Sequence, residues 1–100
     1  MTNNEVNQAI AEWVGAEGFH RFVDDDGSVM DHIPNDYCNS LDKTVTAIAN
    51  KIQWLLDVPE DGLIYVECRY ADQAYSTDFN GSPSQALAHG VAAVLNRAKG

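Results

Sequence analysis

The length, composition and charge of the chain exclude several classes of protein. One hundred residues, 45% of them apolar, suffice for one small domain over residues 1–100, and the net charge of −9 argues against direct binding of DNA or RNA. No stretch approaches the roughly 18 apolar residues of a membrane span, and the opening MTNNEVNQ lacks the basic and apolar regions of a signal peptide, so we expect a cytoplasmic protein without a membrane partner.

The first predicted element is an amphipathic helix of about 13 residues. Thr2 and Glu5 have the spacing of a capping box, in which each side chain satisfies the backbone N–H of the other residue. Gly15 follows where the helix should end. One apolar stripe of this helix consists of Val6, Ile10, Trp13 and Val14.

A β-hairpin is predicted around the DDDG sequence at residues 24–27, between apolar segments at 19–23 and 29–33. Asp and Gly favour a tight turn, because Gly accepts positive φ and Asp bonds its own backbone. A calcium loop starting at Asp24 would need Gly at its sixth position and Glu at its last, where the chain has Val29 and Asn35. We therefore reject the calcium loop.

A second helix is predicted over residues 40–56, after Pro34 has ended the hairpin. Asn39 or Ser40 would act as its N-cap, and Asp42 would complement the positive end of the helix dipole. The apolar residues with helical spacing are Leu41, Val45, Ile48, Ile52, Leu55 and Leu56.

The C-terminal half predicts a strand pair followed by a third helix. Apolar and polar residues alternate over 63–70, and residues 74–79 supply a partner strand. Ser82 and Gln85 have the spacing of a second capping box, with Pro83 at the first helical position. The fold predicted is α+β, with order α-ββ-α-ββ-α and three helices packed on a small antiparallel sheet as an α/β/α sandwich.

The sequence offers little catalytic chemistry, and we expect neither an enzyme nor a bound metal or cofactor. His20, His32 and His89 do not have the spacing of a metal motif, and no glycine-rich phosphate loop is present. Cys38 and Cys68 have no basic neighbour that would activate a thiol, so we interpret them as small buried hydrophobic residues.

Binding of a small phosphorylated ligand is chemically better supported. The two helix N-termini near Ser40 and Ser82 present backbone N–H groups and positive dipole ends. Tyrosine rings can stack on a base, and Arg69 can pair with a phosphate, although the structural alternative for Arg69 is an ion pair with Glu67 or Asp72. The candidate ligand-binding residues are Tyr37, Asn39, Ser40, Arg69, Tyr70, Tyr75, Ser82 and Ser84.

Several short motifs lie in the segments IPNDYCNSLDKTVTAIANKI and AYSTDFNGSPSQALAHGVAAVL. In these motifs the chain resembles small bacteriophage proteins of the phage ABA-sandwich domain family, and the resemblance covers most of the chain. Its matching positions are Trp13, Pro34, Tyr37, Cys38, Asn39, Ser40, Asp42, Ser82, Pro83, Ala86, Ala92, Ala93 and Leu95. The resemblance implies a phage accessory protein with a layered helix, sheet and helix core, located in an infected bacterial cell, and implies no catalytic residues.

Two functional hypotheses follow, and a third, a role in structure or assembly, stays open. The first is a non-enzymatic anti-defence protein that sequesters a small nucleotide-derived signal, with a site shared in a homo-oligomer. The second is an acidic inhibitor of a host defence protein, including one that imitates nucleic acid. Its partner-binding residues would be Asp24, Asp25, Asp26, Asp31 and Asp36.

Overall fold

The computed structural model of the protein describes residues 2–15, 20–23, 25–32 and 36–99. Asp24 and Pro34, to which we assigned roles above, lie outside the described residues. The elements are α1 (Asn3–Val14), β1 (His20–Val23), β2 (Val29–His32), a 3-10 turn (Tyr37–Asn39), α2 (Leu41–Ile48), β3 (Gln53–Asp57), β4 (Ile64–Tyr70), β5 (Gln73–Phe79) and α3 (Pro83–Lys99).

Helix α1 begins with the predicted capping box. The Glu5 backbone N–H donates to Thr2 Oγ1 over 3.2 Å, and the Thr2 backbone N–H donates to Glu5 Oε1 over 3.0 Å. Val6 and Ile10 are buried, as the apolar stripe predicts, and the helix ends at Gly15 with φ at 100°. A positive φ at this point suits glycine because it has no Cβ.

The predicted N-terminal hairpin is confirmed. β1 and β2 pair in antiparallel register, with His20 opposite His32 and Val23 opposite Val29. The turn between them contains Gly27 at φ 86°. The Ser28 backbone N–H donates to Asp26 Oδ1 over 2.9 Å, a local bond of the type that favours Asp in turns.

The predicted second helix was too long, because its last part is a strand. α2 ends at Ile48, and Ala49 has φ at 44°, outside the helical region. Residues 53–57 form β3 instead. The apolar residues from Ile52 to Leu56 fit a strand as well as a helix, since Trp54 and Leu56 lie on one face of β3 opposite Cys68 and Val66.

β3, β4 and β5 form an antiparallel sheet in chain order, so the predicted strand pair gains a third strand. The alternation predicted for β4 is confirmed: Ile64, Val66 and Cys68 are buried. On the other face, Arg69 and Ser76 are exposed. The α+β class with three helices is confirmed, whereas the predicted order is wrong by one strand.

Helix α3 lies between the sheet and the N-terminal helices. It packs on β4 and β5 on one side and on α1, α2 and the 3-10 turn on the other. Its buried residues therefore surround the helix axis, as expected for a helix enclosed by neighbours. They are Ala86, Leu87, Ala88, Gly90, Val91, Ala92, Val94 and Leu95. The predicted α/β/α sandwich is not confirmed, because the outer sheet face is exposed in the part of the chain described.

A buried asparagine fastens the 3-10 turn to α1. Asn7 Oδ1 accepts a hydrogen bond from the Cys38 backbone N–H over 3.1 Å, and Asn7 Nδ2 donates to Asp36 Oδ1 over 3.0 Å. Thr44 Oγ1, on α2, donates to the Tyr37 carbonyl over 3.0 Å. The turn is thus bonded to both flanking helices, and its buried polar atoms have partners.

No helix among the described residues has the length and apolarity needed to cross a membrane.

Gly90 permits the close approach of α3 to β4, and we predict that Gly90→Ala destabilises the protein. A Cβ at this position would lie 2.9 Å from Val66 Cγ2 and 3.0 Å from Cys68 Sγ. Overpacking of this kind costs about 1–3 kcal/mol, which exceeds the helix-propensity gain of about 1 kcal/mol. Denaturant unfolding measures the loss.

The matched test adds Val66→Ala, which removes the methyl group nearest the new Cβ. The double variant Gly90→Ala with Val66→Ala should be more stable than the sum of the two single losses predicts. Additive losses would show that the contact between α3 and β4 does not limit packing at Gly90.

Candidate functional site

The serines at the two predicted phosphate positions act as helix caps. Ser40 Oγ accepts from the Lys43 backbone N–H over 3.3 Å. At α3, the Gln85 backbone N–H donates to Ser82 Oγ and the Ser82 backbone N–H donates to Gln85 Oε1, both over 3.2 Å. These bonds confirm the predicted capping and occupy one N-terminal amide of each helix, while Ser84 is half-buried in the first turn of α3.

The candidate tyrosines lie in different surroundings. Tyr37 is only 1% exposed, so its ring has no free face on which a ligand could stack. Tyr70 is half-buried, and its hydroxyl accepts a hydrogen bond from Trp13 Nε1 over 3.3 Å. Tyr75 is half-buried, with the Arg97 guanidinium 5.3 Å from the centre of its ring. Of these three residues, Tyr37 and Tyr70 line the cavities described below, and Tyr70 is the more exposed of the two.

Arg69 lies on the exposed face of the sheet and keeps most of its side chain in solvent. Its Nη2 is 3.8 Å from Glu67 Oε1, so the ion pair considered above is present, and 62% of the Arg69 side chain is exposed. Exposed pairs of this kind contribute little to stability, about 0–1 kcal/mol. The guanidinium therefore remains accessible to a ligand.

Two adjoining grooves contain an unusual share of the basic residues. One groove, of about 600 Å³, is lined by residues that include Trp13, Lys43 and Lys51. The other, of about 460 Å³, is lined by residues that include Lys51, Arg69 and Tyr70. We call them together the basic grooves. Lys51 lines both of them, and its Nζ lies 5.5 Å from the centre of a Trp13 ring, a cation–π distance.

The charge of the basic grooves differs from that of the rest of the chain. Their lining contains three basic side chains against two acidic ones, Asp42 and Asp72. The remainder of the chain contains three basic side chains against thirteen acidic ones. An anion approaching this otherwise acidic protein is thus attracted most where Lys43, Lys51 and Arg69 lie.

Some of the residues that line the basic grooves were predicted from the sequence, and others were not. Tyr37, Arg69 and Tyr70 line the grooves, whereas Asn39, Ser40, Tyr75, Ser82 and Ser84 are not among the lining residues. Trp13, Lys43 and Lys51 were not predicted, because the grooves form only when α1, α2 and the β4–β5 turn pack together. The scarcity of basic residues, six in the chain, is the signal that could have identified the two lysines.

Among the acidic residues proposed for partner binding, the structure describes the side chains of Asp25, Asp26 and Asp36. Asp25 and Asp26 are exposed in the turn of the first hairpin, and Asp31 lies on β2 opposite Arg21 in register. The backbone hydrogen bond from Ser28 lowers the pKa of the Asp26 carboxyl. Asp36 instead accepts hydrogen bonds from Asn39 Nδ2 over 2.6 Å and from Asn7 Nδ2 over 3.0 Å, so it has a structural role.

Burial shifts the pKa values of the two thiols and of the His89 ring. Burial, with a smaller effect of Asp36, raises the pKa of the Cys38 thiol to about 11. Burial, with a smaller effect of Glu67, raises the pKa of the Cys68 thiol to about 12. Burial also lowers the pKa of His89, whose Nε2 lies 2.8 Å from Asn3 Oδ1. Within the described ranges, no three His, Cys, Asp or Glu side chains are grouped as metal ligands.

Comparison of the chain with protein-family models, curated proteins and solved structures finds no match.

Asp36 should make the stability of the protein depend on pH. Hydrogen bonds from Asn39 and then Asn7 hold the pKa of its carboxyl below the usual value of 3.8. The stabilisation is present above the unfolded-state pKa and is lost as the pH falls through the lower folded-state pKa. We predict that Asp36→Asn lowers the free energy of unfolding at neutral pH. The difference in this free energy between the variant and the wild type should shrink in acid.

Denaturant unfolding over a pH series measures this difference. Asp78→Asn is the matched control, because Asp78 is an exposed carboxylate of β5 on the outer sheet face. Its difference from the wild type should vary little over the same range. A gap between the wild type and Asp36→Asn that is equally large at neutral and acid pH would contradict the assigned role of the Asp36 carboxylate.

Proposed function

We propose that this protein is a non-enzymatic bacteriophage accessory protein that binds and sequesters a small nucleotide-derived signal of bacterial defence. The observation that carries the binding proposal is the concentration of Lys43, Lys51 and Arg69 around the basic grooves of a chain with net charge −9. The phage origin and the anti-defence role rest on the family resemblance of the sequence motifs.

The electrostatics favour a small anion over a polymer. The Debye length is about 8 Å at physiological ionic strength, so a ligand inside the grooves interacts mainly with the side chains around it. A nucleic acid would extend beyond the grooves to the acidic remainder of the surface, where its phosphates would be repelled. A ligand with one or a few phosphates avoids this repulsion and still contacts the two lysines and Arg69.

The aromatic residues and the size of the grooves fit the remaining parts of a nucleotide. Trp13 and Tyr70 meet edge to face, with ring centres 5.7 Å apart, and they lie where the two grooves adjoin. Aromatic rings bind bases by stacking and apolar contact. Volumes of about 460 and 600 Å³ fall within the range of about 300–1,000 Å³ common for small-molecule sites.

Lys51 is the residue whose loss should weaken binding most, because it lines both grooves. We predict that Lys51→Gln lowers affinity for a phosphorylated ligand about 10- to 100-fold, the equivalent of a charge-assisted hydrogen bond of roughly 1.5–3 kcal/mol. Isothermal titration with cyclic oligonucleotides and ADP-ribose derivatives measures affinity, and mass spectrometry identifies any molecule that co-purifies with the protein.

Lys99→Gln is the matched control, since it removes the same charge at the end of α3, outside the basic grooves. It should leave affinity nearly unchanged, and circular dichroism should show that both variants are folded. An equal loss in the two variants would place binding elsewhere, and the absence of binding across the ligand panel would refute the proposed function.

The exposed turn of the first hairpin favours the second candidate, an acidic inhibitor of a host nuclease or other DNA-binding protein. Asp25 and Asp26 are exposed in a turn whose two strands pair with each other. Reversing the charge of Asp24, Asp25 and Asp26 to Lys should abolish binding to such a partner and leave nucleotide affinity nearly unchanged. The control reverses Glu60 and Asp61 in the β3–β4 turn, and a pull-down with the partner compares the two variants.

A further inference from the structure

The two edges of the three-stranded sheet differ in how well they are protected from pairing with another strand. β3 and β5 are the edge strands, and among the described residues each pairs only with β4. Proteins commonly protect such edges with charged side chains, proline, bulges or covering segments, because an unpaired strand edge can accept a further strand.

The β5 edge carries such protection. Arg97 Nη1, on α3, donates a hydrogen bond to the Ala74 carbonyl over 2.7 Å, and the same guanidinium lies over the ring of Tyr75. The exposed residues Ser76 and Asp78 make the strand polar. A second strand would have to displace Arg97 and cover these polar groups.

The β3 edge has apolar side chains where β5 has polar ones. Trp54 is 40% exposed and Leu55 is 49% exposed, although they lie on opposite faces of the strand. Val58 and Leu63, in the turn that follows, are also about half exposed. Within residues 53–57 there is no proline or lysine and Asp57 is the one charged residue, so the strand has few of the features that discourage pairing.

The ends of β3 are complementary in charge. Lys51 precedes the strand, and Arg69 lies beside its first residue, Gln53. At the other end lie Asp57 and, in the turn, Glu60 and Asp61. Two copies placed side by side in opposite directions would bring the basic end of each strand to the acidic end of the other, which offsets the repulsion between two acidic proteins.

We propose that two copies of this chain dimerise by antiparallel pairing of their β3 strands, forming a continuous six-stranded sheet. A two-fold axis at Leu55 places Leu55 opposite the partner's Leu55, Trp54 opposite the partner's Leu56 and Gln53 opposite the partner's Asp57. This register uses all five residues of β3 and opposes no like charges.

Sedimentation equilibrium without nucleotide tests the dimer independently of ligand binding. The wild type should reach twice the monomer mass of 11.0 kDa as its concentration rises. Leu55→Lys should remain at the monomer mass, because it places two ammonium groups opposite each other at the axis. Ser76→Lys puts the same charge on the same face of β5 and should dimerise like the wild type.

Cysteine cross-linking tests the register in a variant that keeps the side chain small. Directly opposed residues of antiparallel strands have Cα atoms about 4.5–5.5 Å apart, within the range of a disulfide. Diamide, which accepts the two thiol hydrogens, should therefore convert Leu55→Cys to a covalent dimer and leave Ser76→Cys monomeric on a denaturing gel. Cys38 and Cys68 are buried and present in both samples.

Two results would overturn the proposal. One is a wild-type protein that stays at 11.0 kDa at every concentration, with no cross-link through Leu55→Cys. The other is a dimer that survives Leu55→Lys and is lost in Ser76→Lys, which would assign the interface to β5. Circular dichroism must show the same folded spectrum for the lysine variants as for the wild type. If Leu55→Lys is unfolded, the cross-linking of Leu55→Cys alone decides whether the proposed dimer forms.

Discussion

The packing of helix α3 on both of its sides is the constraint on which the rest of the structure depends. The sheet contacts one side of α3, and α1, α2 and the 3-10 turn contact the other. The N-terminal helices therefore meet the sheet mainly through α3. Gly90 lets α3 approach β4 closely, and a larger side chain there would separate the helix from the sheet.

Hydrogen bonds at the 3-10 turn hold α1 and α2 in place, just as close packing against α3 holds the sheet in place. Asn7 bonds the Cys38 amide and the Asp36 carboxylate, and Thr44 bonds the Tyr37 carbonyl. These bonds hold α2 at a defined distance from α1, and the groove lined by Trp13, Lys43 and Lys51 lies between those helices. The shape of the candidate site thus depends on buried hydrogen bonds that do not line it.

Local signals in the sequence predicted the parts of the fold that depend on local interactions. The capping boxes at Thr2 and Ser82 require partners three residues away, so their spacing is visible in the chain. The boundary between α2 and β3 was missed because the apolar residues between Ile48 and Leu56 fit the periodicity of a helix and also that of a strand. Pairing of Trp54 with Cys68, fourteen positions along the chain, selects the strand, and the sequence pattern does not contain that contact.

The candidate site was predicted less completely than the fold for the same reason. Arg69 and Tyr70 were found because each has chemistry suited to a phosphate or a base. Lys43 and Lys51 were missed because exposed lysines are common, and their importance comes from the shared groove that tertiary packing creates. Asp36 shows the converse case, since its place in an acidic run suggested a partner, while its hydrogen bonds with Asn7 and Asn39 give this exposed carboxylate a role in holding the 3-10 turn.

The position of α3 in the chain has a consequence for biosynthesis. Residues 83–99 are translated after every segment that packs against them. Until this helix leaves the ribosome, the apolar face of β4 with Val66 and Cys68 lacks its cover, and the N-terminal helices lack the surface that joins them to the sheet. The packed domain therefore cannot form before residues 83–99 have been synthesised, and chaperones that bind exposed apolar segments have access to the unfinished sheet until then.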